Sequence, residues 1–419
     1  MHTGNWSFMA EPLRVALVTD GLYPFFAGGK EVRLWELARR VASPAVALEV
    51  HTMRWWADGE RVPEWQGVAL RSVCRPWAMY AGPRRSVLQA AMFALGSFRL
   101  ATAKADVVDA DHMPYLHLLP LRLVTLVKRV PLVVTWHEWW GREYWAEYLG
   151  KMGRFSAALE RLSARCADHL VVDSAETYER LLQEGVRAER MSLLTLGADL
   201  DAIAAARPAN ESWDVLYAGR LIAHKRVDLL VEALARLRDQ GVALRCLVVG
   251  SGPEEHRLRQ KAAELGMLSS ARSLAAVAAT PGPARARGGD EAHGPGVTFA
   301  GSLPRQADVW GLMKSSRVFA YPSVREGFGL AVLEAQVAGA TVVTTDHPDN
   351  HGRLLVEHGS TGYLCGAGAE QLANAIAAAL ERPASRGAVA AHVERHSWAP
   401  RAEQLGAIYR SLARSGRAN

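Results

Sequence analysis

Short apolar runs alternate with amphipathic stretches along the first half of the chain. Each run is rich in Val and Leu and ends in polar residues, and a helical pattern separates it from the next run. The runs are Leu13–Gly21, Ala47–Arg54, Ala105–His112, Pro131–Glu138 and Ala167–Ala175. Strands that alternate with helices indicate a parallel sheet with both faces covered. The first half therefore predicts a doubly wound α/β domain.

The same alternation restarts at Trp213. Strand-like runs follow again, and the stretch Arg226–Gly241 has the period of a helix closed by a glycine. The runs are Trp213–Arg220, Leu244–Gly252, Gly296–Leu303, Ser316–Ser323 and Ala340–His347. A second doubly wound domain is predicted, with a linker within Leu200–Glu211. Ligands of such sheets bind beyond the carboxyl ends of the strands, so the polar residues after each strand are the candidates for function.

Two segments lack this pattern. Residues 1–12 contain no long apolar core and are interpreted as a flexible extension rather than a signal peptide. Residues 269–296 are rich in Ala, Gly, Pro and Arg, which predicts a flexible insertion.

We assign the first domain to residues 13–203 and the second to residues 204–399. A closing helix within residues 400–419 is expected to cross back to the first domain.

The composition is that of a globular protein, since 49% of the 419 residues are hydrophobic and 22% are charged. The net charge of +6 suits an anionic ligand, an anionic membrane or nucleic acid, and it does not choose among them. The four cysteines are far apart, which indicates a reducing compartment and no zinc site. No uninterrupted apolar run reaches the roughly 18 residues of a transmembrane helix.

One stretch, VREGFGLAVLEAQVAGATVV, joins a glycine-containing loop to an apolar helix. The helix is predicted to begin near Gly329 or Leu330, where free amides and the helix dipole favour phosphate. Glu326 precedes the helix, and Glu334 is its only charged residue. Carboxylates beside a phosphate site suit hydroxyl donors, such as those of a sugar nucleotide. The structural alternative is that Glu326 caps the helix and Glu334 pairs with an arginine.

Two cations and a glycine pair follow strands in the two halves. Arg220 and Lys225 come after a predicted strand and are suited to clamp a diphosphate, although solvated surface charge is the alternative. Gly28 and Gly29 follow the first strand and are suited to bring backbone amides to phosphate or acceptor. A tight turn explains the glycine pair equally well, because it forms no G-x-G-x-x-G motif.

Two further strand ends carry polar groups. His137 ends a strand among three tryptophans, where it is suited to bind a sugar hydroxyl or shuttle a proton while the indoles stack on sugars. A packed aromatic cluster around a satisfied histidine is the alternative. Asp109 and Asp111 have the spacing of a divalent-metal motif of sugar-nucleotide enzymes, but a match of three residues is common by chance.

The stretch Gln66–Ala105 contains no acidic residue, and its cations alternate with aromatic side chains. This composition is typical of a surface helix that lies on anionic lipid. An ordinary helix packed on the domain, with solvated arginines, is the alternative. No recognition motif for nucleic acid accompanies the charge, so nucleic acid is not expected as a partner.

Together these pieces resemble the retaining glycosyltransferases of family 4. The matching stretches are GLYPFFAGGKEVRLWELARRV, YAGRLIAHKRVDLLVEALARL and PSVREGFGLAVLEAQVAGATVVTTD, and the last holds the family's E-x7-E pattern. The resemblance implies an α/β protein with two doubly wound Rossmann-like domains that face a central cleft, the GT-B fold. Two residues depart from the family pattern. The family usually has a small or apolar residue at the position of Lys30, and it often has a glycine at the position of Arg226.

The resemblance also implies roles for individual residues. Glu326 contacts the transferred sugar, Glu334 accepts from the ribose hydroxyls, and His137 contacts the sugar. The implied catalytic residues are Glu326, His137, Arg220 and Lys225. The implied donor-binding residues are Gly28, Gly29, Arg220, Lys225, Glu326, Gly327, Phe328, Gly329, Leu330 and Glu334.

The implied function is that of a hexosyltransferase that moves a sugar from a nucleotide diphosphate sugar to an acceptor hydroxyl, with retained anomeric configuration. No cofactor and no metal are expected, since the family needs none. A lipid-linked or cell-envelope glycan is the favoured acceptor, and a cytoplasmic protein at the inner face of the cell membrane is expected. A sugar-nucleotide epimerase of related fold is the alternative, and a non-catalytic binding protein is a third hypothesis.

Overall fold

A computed structural model describes residues 11–26, 28–56, 64–65, 67–81, 84–269 and 294–418. The predicted extension at the start of the chain and the predicted insertion at 269–296 lie almost wholly outside these ranges. The chain forms two compact units. Unit 1 consists of the residues up to Leu196 together with those from Trp398 onward, and unit 2 consists of Gly197–Ser397.

The described residues of unit 1 form ten strands. They are β1 (Leu13–Val18), β2 (Val46–Met53), β3 (Glu64–Trp65), β4 (Val68–Cys74), β5 (Tyr80–Ala81), β6 (Arg84–Arg85), β7 (Val107–Asp111), β8 (Leu132–Trp136), β9 (His169–Val172) and β10 (Met191–Leu193). Seven of them form a parallel sheet in the order β10-β9-β8-β7-β1-β2-β4, and β3 pairs antiparallel with β4 at one edge. β5 and β6 pair separately. The parallel sheet predicted for the first half is confirmed.

The helices of unit 1 connect these strands. They are α1 (Gly29–Val41), α2 (Val87–Ser97), α3 (Leu118–Lys128), α4 (Gly141–Leu149), α5 (Gly153–Cys166) and α6 (Ala175–Gln183), with a 3-10 helix at Phe98–Ala101. Strands β7 and β8 are buried at every position, which is why they are Val-rich rather than alternating. The Ser174 hydroxyl caps α6 by accepting from the amide of Thr177 at 3.2 Å.

Unit 2 is a second parallel α/β unit. Its strands are β11 (Trp213–Ala218), β12 (Arg245–Val249), β13 (Gly296–Gly301), β14 (Ser316–Tyr321), β15 (Thr341–Thr345) and β16 (Gly362–Cys365). All six are parallel, in the order β13-β12-β11-β14-β15-β16. Its helices are α7 (Leu200–Ala205), α8 (Val227–Asp239), α9 (Glu255–Glu264), α10 (Gln306–Lys314), α11 (Leu330–Ala338), α12 (Ala369–Glu381) and α13 (Arg386–Glu394). Every strand predicted for the second half is present, and the predicted fold class is confirmed.

The last helix, α14 (Trp398–Ala418), belongs to unit 1 and packs on α1. Two buried side chains hold it. The Tyr409 hydroxyl donates to the carboxylate of Asp109 on β7, and Arg401 donates to the Thr195 carbonyl at 2.8 Å.

The basic stretch Gln66–Ala105 is not one surface helix. It contains β4, the β5–β6 pair, α2 and the 3-10 helix. The cations of the stretch lie outside α2, whose sequence VLQAAMFALGS holds no charged residue. The prediction of a basic amphipathic helix is therefore wrong in its form, because the charge and the apolar surface belong to different elements.

Candidate active site

The start of α11 is fixed by a glycine. Gly329 is the N-cap residue at φ +89°, a left-handed conformation that side chains with Cβ rarely adopt. A Cβ atom at Gly329 would also lie 2.6 Å from the Cα of Gly352. The Val332 amide already donates to the Gly329 carbonyl at 2.9 Å, so the amides of the first turn that are suited to an anion are those of Leu330 and Ala331. The predicted helix start is confirmed.

The loop before α11 is held by backbone hydrogen bonds. The Glu326 amide donates to the Asp349 carbonyl at 2.9 Å, and the Glu326 carbonyl accepts from the His351 amide at 3.1 Å. The Gly327 carbonyl lies 3.1 Å from His351 Nδ1, and the ring of Phe328 packs edge-on against His396. Glu326 does not cap the helix, because the cap residue is Gly329 and it receives no side-chain hydrogen bond.

Lys225 lies in a 3-10 turn after β11 and is only 7% exposed. Its ammonium donates to the Tyr321 hydroxyl at 2.9 Å and contacts the carboxylate of Glu326. Burial and the nearby Arg220 lower the pKa of Lys225 to about 7, while the Glu326 carboxylate favours the charged form. The structure therefore brings together two of the predicted site residues, about one hundred positions apart in the chain.

Arg220 comes directly after the strand and is exposed. Its carbonyl accepts a 2.9 Å hydrogen bond from the Tyr217 hydroxyl, and the Tyr217 ring stacks on the Tyr321 ring. The two tyrosines thus fix the backbone of one cation and the ammonium of the other. Gly250 and Gly252 allow the next loop to approach closely, since a Cβ at Gly250 would lie 1.9 Å from the Gly219 carbonyl oxygen.

Glu334 lies one turn into α11 and is 8% exposed. Its carboxylate accepts from Gln306 Nε2, at 3.1 Å for one oxygen and 3.3 Å for the other. Gln306 begins α10 and was not singled out from the sequence, and neither was Tyr321. Neither residue stands in a spacing that suggests its partner, so only the fold reveals these two contacts.

The carboxyl edge of the unit 2 sheet thus combines three kinds of group. It has two cations, Arg220 and Lys225, a helix start with free amides, and two carboxylates, the partly buried Glu326 and the buried Glu334. Cations and amides stabilise negative charge on a diphosphate, whereas carboxylates accept hydrogen bonds from hydroxyls. The arrangement is suited to a ligand that has both groups.

The carboxyl edge of the unit 1 sheet carries a buried charge cluster. The ammonium of Lys30 lies 2.7 Å from the Asp20 carboxylate and 3.3 Å from that of Asp111. Arg85 and Gln89 also donate to Asp20. Burial alone would raise the pKa of Asp20, but the charges of Lys30 and Arg85 hold it below its usual value.

His137 joins this cluster through both ring nitrogens. Nε2 lies 3.0 Å from the Asp111 carboxylate, and Nδ1 lies 2.8 Å from that of Asp173. Burial by itself would lower the pKa of His137, but hydrogen bonds and charge from the two aspartates raise it to about 9. The imidazole is therefore held as a cation, and neither nitrogen is left over for a sugar hydroxyl in this geometry.

Gly28 and Gly29 stand at the start of α1, next to Lys30. Gly28 is the N-cap residue, and a Cβ at Gly29 would have no neighbour within 4 Å. Neither glycine has a positive φ, so the pair does not form a left-handed turn, and a Cβ at Gly28 would lie 2.3 Å from the Glu31 carboxylate. Lys30, the departure from the family pattern, is explained by its two aspartate partners.

Asp109 and Asp111, which have the spacing of a divalent-metal motif, contact different partners. Asp109 receives the Tyr409 hydroxyl, and burial raises its pKa to about 7, whereas Asp111 binds Lys30 and His137. In the described part of the chain, no group of three or more His, Cys, Asp or Glu residues has the arrangement of a metal site.

No described helix is long and apolar enough to span a membrane.

The tryptophans around His137 do not offer free faces for a sugar. Trp136 and Trp139 are buried and stack on each other with ring centroids 5.7 Å apart. Trp140 packs against the side chains of α4, and its indole N–H donates to Glu138. The alternative of a packed aromatic cluster is therefore correct for Trp136 and Trp139.

Comparison with known proteins identifies two matching families and several similar proteins. The family described as Glycosyltransferase Family 4 matches residues 27–202, and the family described as Glycosyl transferases group 1 matches residues 213–382. The D-inositol 3-phosphate glycosyltransferase 1 of Catenulispora acidiphila is 28% identical over 426 residues, covering 93% of this chain and 92% of that protein. The D-inositol 3-phosphate glycosyltransferase of Rhodococcus opacus is 32% identical over 263 residues, covering 58% of this chain and 53% of that protein.

Solved structures share the fold. The crystal structure of Anabaena HepE in complex with UDP and glucose superposes with a TM-score of 0.67 at 20% identity, covering 95% of this chain and all of that one. At this identity the likeness establishes the two-unit fold, and the residue roles rest on the site itself.

Proposed function

The chain belongs to the group 1 glycosyl transferases of family 4, and we propose that it moves a sugar from a nucleotide diphosphate sugar to an acceptor hydroxyl with retained configuration. The observation that carries the proposal is the edge of unit 2, where two cations and a free helix start lie beside the carboxylates of Glu326 and the buried Glu334. In this assignment the phosphates bind Arg220, Lys225 and the amides of residues 328–330. The ribose hydroxyls donate to Glu334, and the sugar hydroxyls donate to Glu326.

The rate depends on the charge that develops on the leaving diphosphate. Arg220, Lys225 and the helix start stabilise that charge, and the Lys225 ammonium and the helix amides are held in place before the reaction. The Tyr321 hydroxyl and the Tyr217 hydroxyl contribute by fixing the two cationic residues. No enzyme nucleophile is needed if the acceptor attacks from the face that the leaving group vacates and a leaving phosphate oxygen takes its proton. We propose no metal and no cofactor for this chemistry.

His137 has a positioning role in this proposal. Its two aspartate partners keep it protonated, and it links Asp111 to Asp173 at the ends of β7 and β9. The cluster holds the first turn of α1 through Lys30, and the amides of Gly28 and Gly29 begin that turn. A direct contact between the imidazole and the sugar requires that one of the two aspartate contacts opens.

The acceptor is proposed to be a hydroxyl on a lipid-linked or cell-envelope molecule, and the protein is proposed to work at the inner face of the cell membrane. Two of the similar proteins are named D-inositol 3-phosphate glycosyltransferases. These names support a phosphorylated cyclitol as the acceptor to test, both as the free compound and as phosphatidylinositol. A free cyclitol phosphate that is used as well as its lipid form would contradict the lipid-linked proposal.

The experiment is a thermal-shift screen with UDP, GDP, ADP and their sugar conjugates, followed by product analysis with the selected donor. Selective binding raises the melting temperature. The Lys225→Ala variant should lose the shift, whereas Arg257→Ala, which removes an exposed arginine of α9, should keep it. Conversion of the donor to an isomer without acceptor would identify an epimerase instead. Full turnover by a folded Lys225→Ala variant would refute the diphosphate assignment.

A further inference from the structure

Helix α2 of unit 1 has an apolar outer face. Phe93 and Ala90 are buried together with Gln89 and Ser97, and Val87, Leu88 and Leu95 are 72%, 57% and 63% exposed. A surface helix ordinarily carries polar residues on its solvent face. The helix has no charged residue that could mark a solvated face. Its outer surface is therefore adapted to an apolar environment.

Helix α3 continues this surface. It packs beside α2 and the 3-10 helix, and the Lys128 ammonium donates to the carbonyls of Ala101 and Ala103. Its outward residues Leu123, Leu126 and Val127 are also exposed, and Val127 is 85% exposed. We call the exposed apolar residues of α2, α3 and Phe98 the apolar face. A contiguous exposed apolar area on a folded protein commonly marks an interaction site.

A basic cleft of about 710 Å³ lies on the sheet of the same unit. Arg14 of β1, His51 of β2 and Arg71 of β4 line it from the sheet, and Arg99 and Lys104 line it from the segment after α2. His51 and Arg71 are register partners on neighbouring parallel strands, so their side chains share one face of the sheet.

The charges of the cleft are only partly neutralised. Arg14 pairs with Asp106, and Arg71 pairs with Glu49. Within the part of the chain that the structure describes, Arg99 and Lys104 have no carboxylate partner. The His51 side chain is 8% exposed, and its Nε2 lies 3.6 Å from Glu49 and makes no hydrogen bond. The Glu49 carboxylate faces both His51 and Arg71, so the positive charge that the cleft offers to an anion is that of Arg99 and Lys104.

The apolar face and the basic cleft meet at the 3-10 helix. Phe98 belongs to the face, and the next residue, Arg99, lines the cleft. The sequence contains no acidic residue in Gln66–Ala105 or in His112–His137, so neither α2 nor α3 carries negative charge. Apolar area bordered by cations, without acidic residues, is the combination that binds anionic lipid surfaces.

We propose that unit 1 binds an anionic phospholipid, with its acyl region against the apolar face and its phosphate in the basic cleft. A protein partner would call for a rim of mixed polar groups that fixes its orientation. The apolar face offers no such rim on α2, and its bordering charge has one sign. The site deepens the proposed work at the inner face of the cell membrane and rests on that proposal, but it needs neither the donor nor the acceptor.

Vesicle co-sedimentation of the full chain tests the site. Vesicles of phosphatidylcholine with a third phosphatidylglycerol should bind the protein, and pure phosphatidylcholine should bind it at least ten-fold more weakly. Leu95→Asp should abolish binding to the mixed vesicles, whereas Val242→Asp, an exposed apolar residue of unit 2, should not change it. Arg99→Gln with Lys104→Gln should weaken partitioning about five-fold for each cation removed.

Further measurements separate the alternatives. Glycerol phosphate should bind far more weakly than the lipid, and equal occupancy by the soluble compound would overturn the lipid assignment. Concentration-dependent dimers that Leu95→Asp abolishes, without vesicle binding, would show that the face joins two copies of this chain. Equal binding to neutral and anionic vesicles would overturn the role of the cleft. Each variant should keep its thermal shift with the nucleotide, so failure here is distinguishable from failure of the proposed transferase function.

Discussion

The ammonium of Lys225 contacts the carboxylate of Glu326 at the edge of the unit 2 sheet. In the proposed reaction these residues serve different parts of the donor, the diphosphate and the sugar. A diphosphate that binds Lys225 therefore competes with Glu326 for the same ammonium. The displaced carboxylate is then available to the hydroxyls of the sugar, so phosphate binding and sugar recognition are coupled through one ion pair.

The Glu326→Gln variant should separate phosphate binding at Lys225 from sugar recognition by residue 326. Because the amide competes less well for Lys225, the variant should bind a nucleoside diphosphate several-fold more tightly than the wild type, while sugar transfer falls at least a hundred-fold. Isothermal titration with the nucleotide and a transfer assay measure the two effects. Glu254→Gln, on an exposed pair with Arg257, serves as the control. Weaker nucleotide binding by Glu326→Gln would contradict the competition.

The low pKa of Lys225 predicts a pH-dependent affinity for the donor. Since burial and Arg220 lower this pKa to about 7, the amine loses its charge as the pH rises above that value. Nucleotide affinity should fall several-fold between about pH 7 and 9. Lys225→Arg stays charged throughout, so its affinity should be flat over the same range. Parallel pH dependence in both proteins would show that another group titrates.

The left-handed N-cap residue of α11, Gly329, predicts that one added methyl group strongly lowers the stability of the fold. Gly329→Ala meets both an unfavourable φ and the Cα of Gly352, and it should lower the free energy of unfolding by about 2–4 kcal/mol. Gly327→Ala, two residues earlier, has no atom within 4 Å of its new Cβ and should leave stability within about 0.5 kcal/mol. Denaturant unfolding compares the pair, and equal losses would refute the steric argument.

Gln306 should act on the donor through Glu334. Gln306→Leu removes both hydrogen bonds to that carboxylate, so the orientation that meets the ribose is lost. We expect KM for the donor to rise about ten-fold with little change in kcat, because ribose binding is equal in the ground and transition states. Gln260→Leu, which removes an exposed hydrogen bond to Glu264, is the matched control. A fall in kcat alone would argue against a binding role.

His137 should link the stability of unit 1 to pH. Its folded pKa is raised to about 9, so its contribution is complete below the unfolded value near 6.5 and is lost as the pH rises through about 9. The wild type should lose up to about 3 kcal/mol over this window, relative to His137→Gln. His256→Gln, on an exposed position of α9, should keep the wild-type dependence. Melting curves at several pH values provide the measurement, and parallel curves for the wild type and His137→Gln would contradict the assignment.

The sequence determined the parts of the molecule whose signals are local. Buried parallel strands have continuous Val-rich sequences, which can be recognised from the sequence alone. The predicted strands are therefore found in both units. The start of α11 was predictable because Gly329 combines a helix boundary with a residue that tolerates positive φ. The E-x7-E spacing placed Glu326 before the helix and Glu334 inside it, and both lie where that spacing puts them.

Tertiary structure alone decided which side chains meet. Lys30 looked like a departure until the fold placed Asp20 and Asp111 around it, and His137 gained two aspartates from different strands. The exposed apolar face of α2 could not be predicted either, since a helix without charge has no polar stripe that marks its outer face. Periodicity is a property of neighbouring residues, whereas ion pairs and burial depend on distances between elements far apart in the chain. Spacing therefore determined the class of the site, and packing determined the charge and the partner of each group within it.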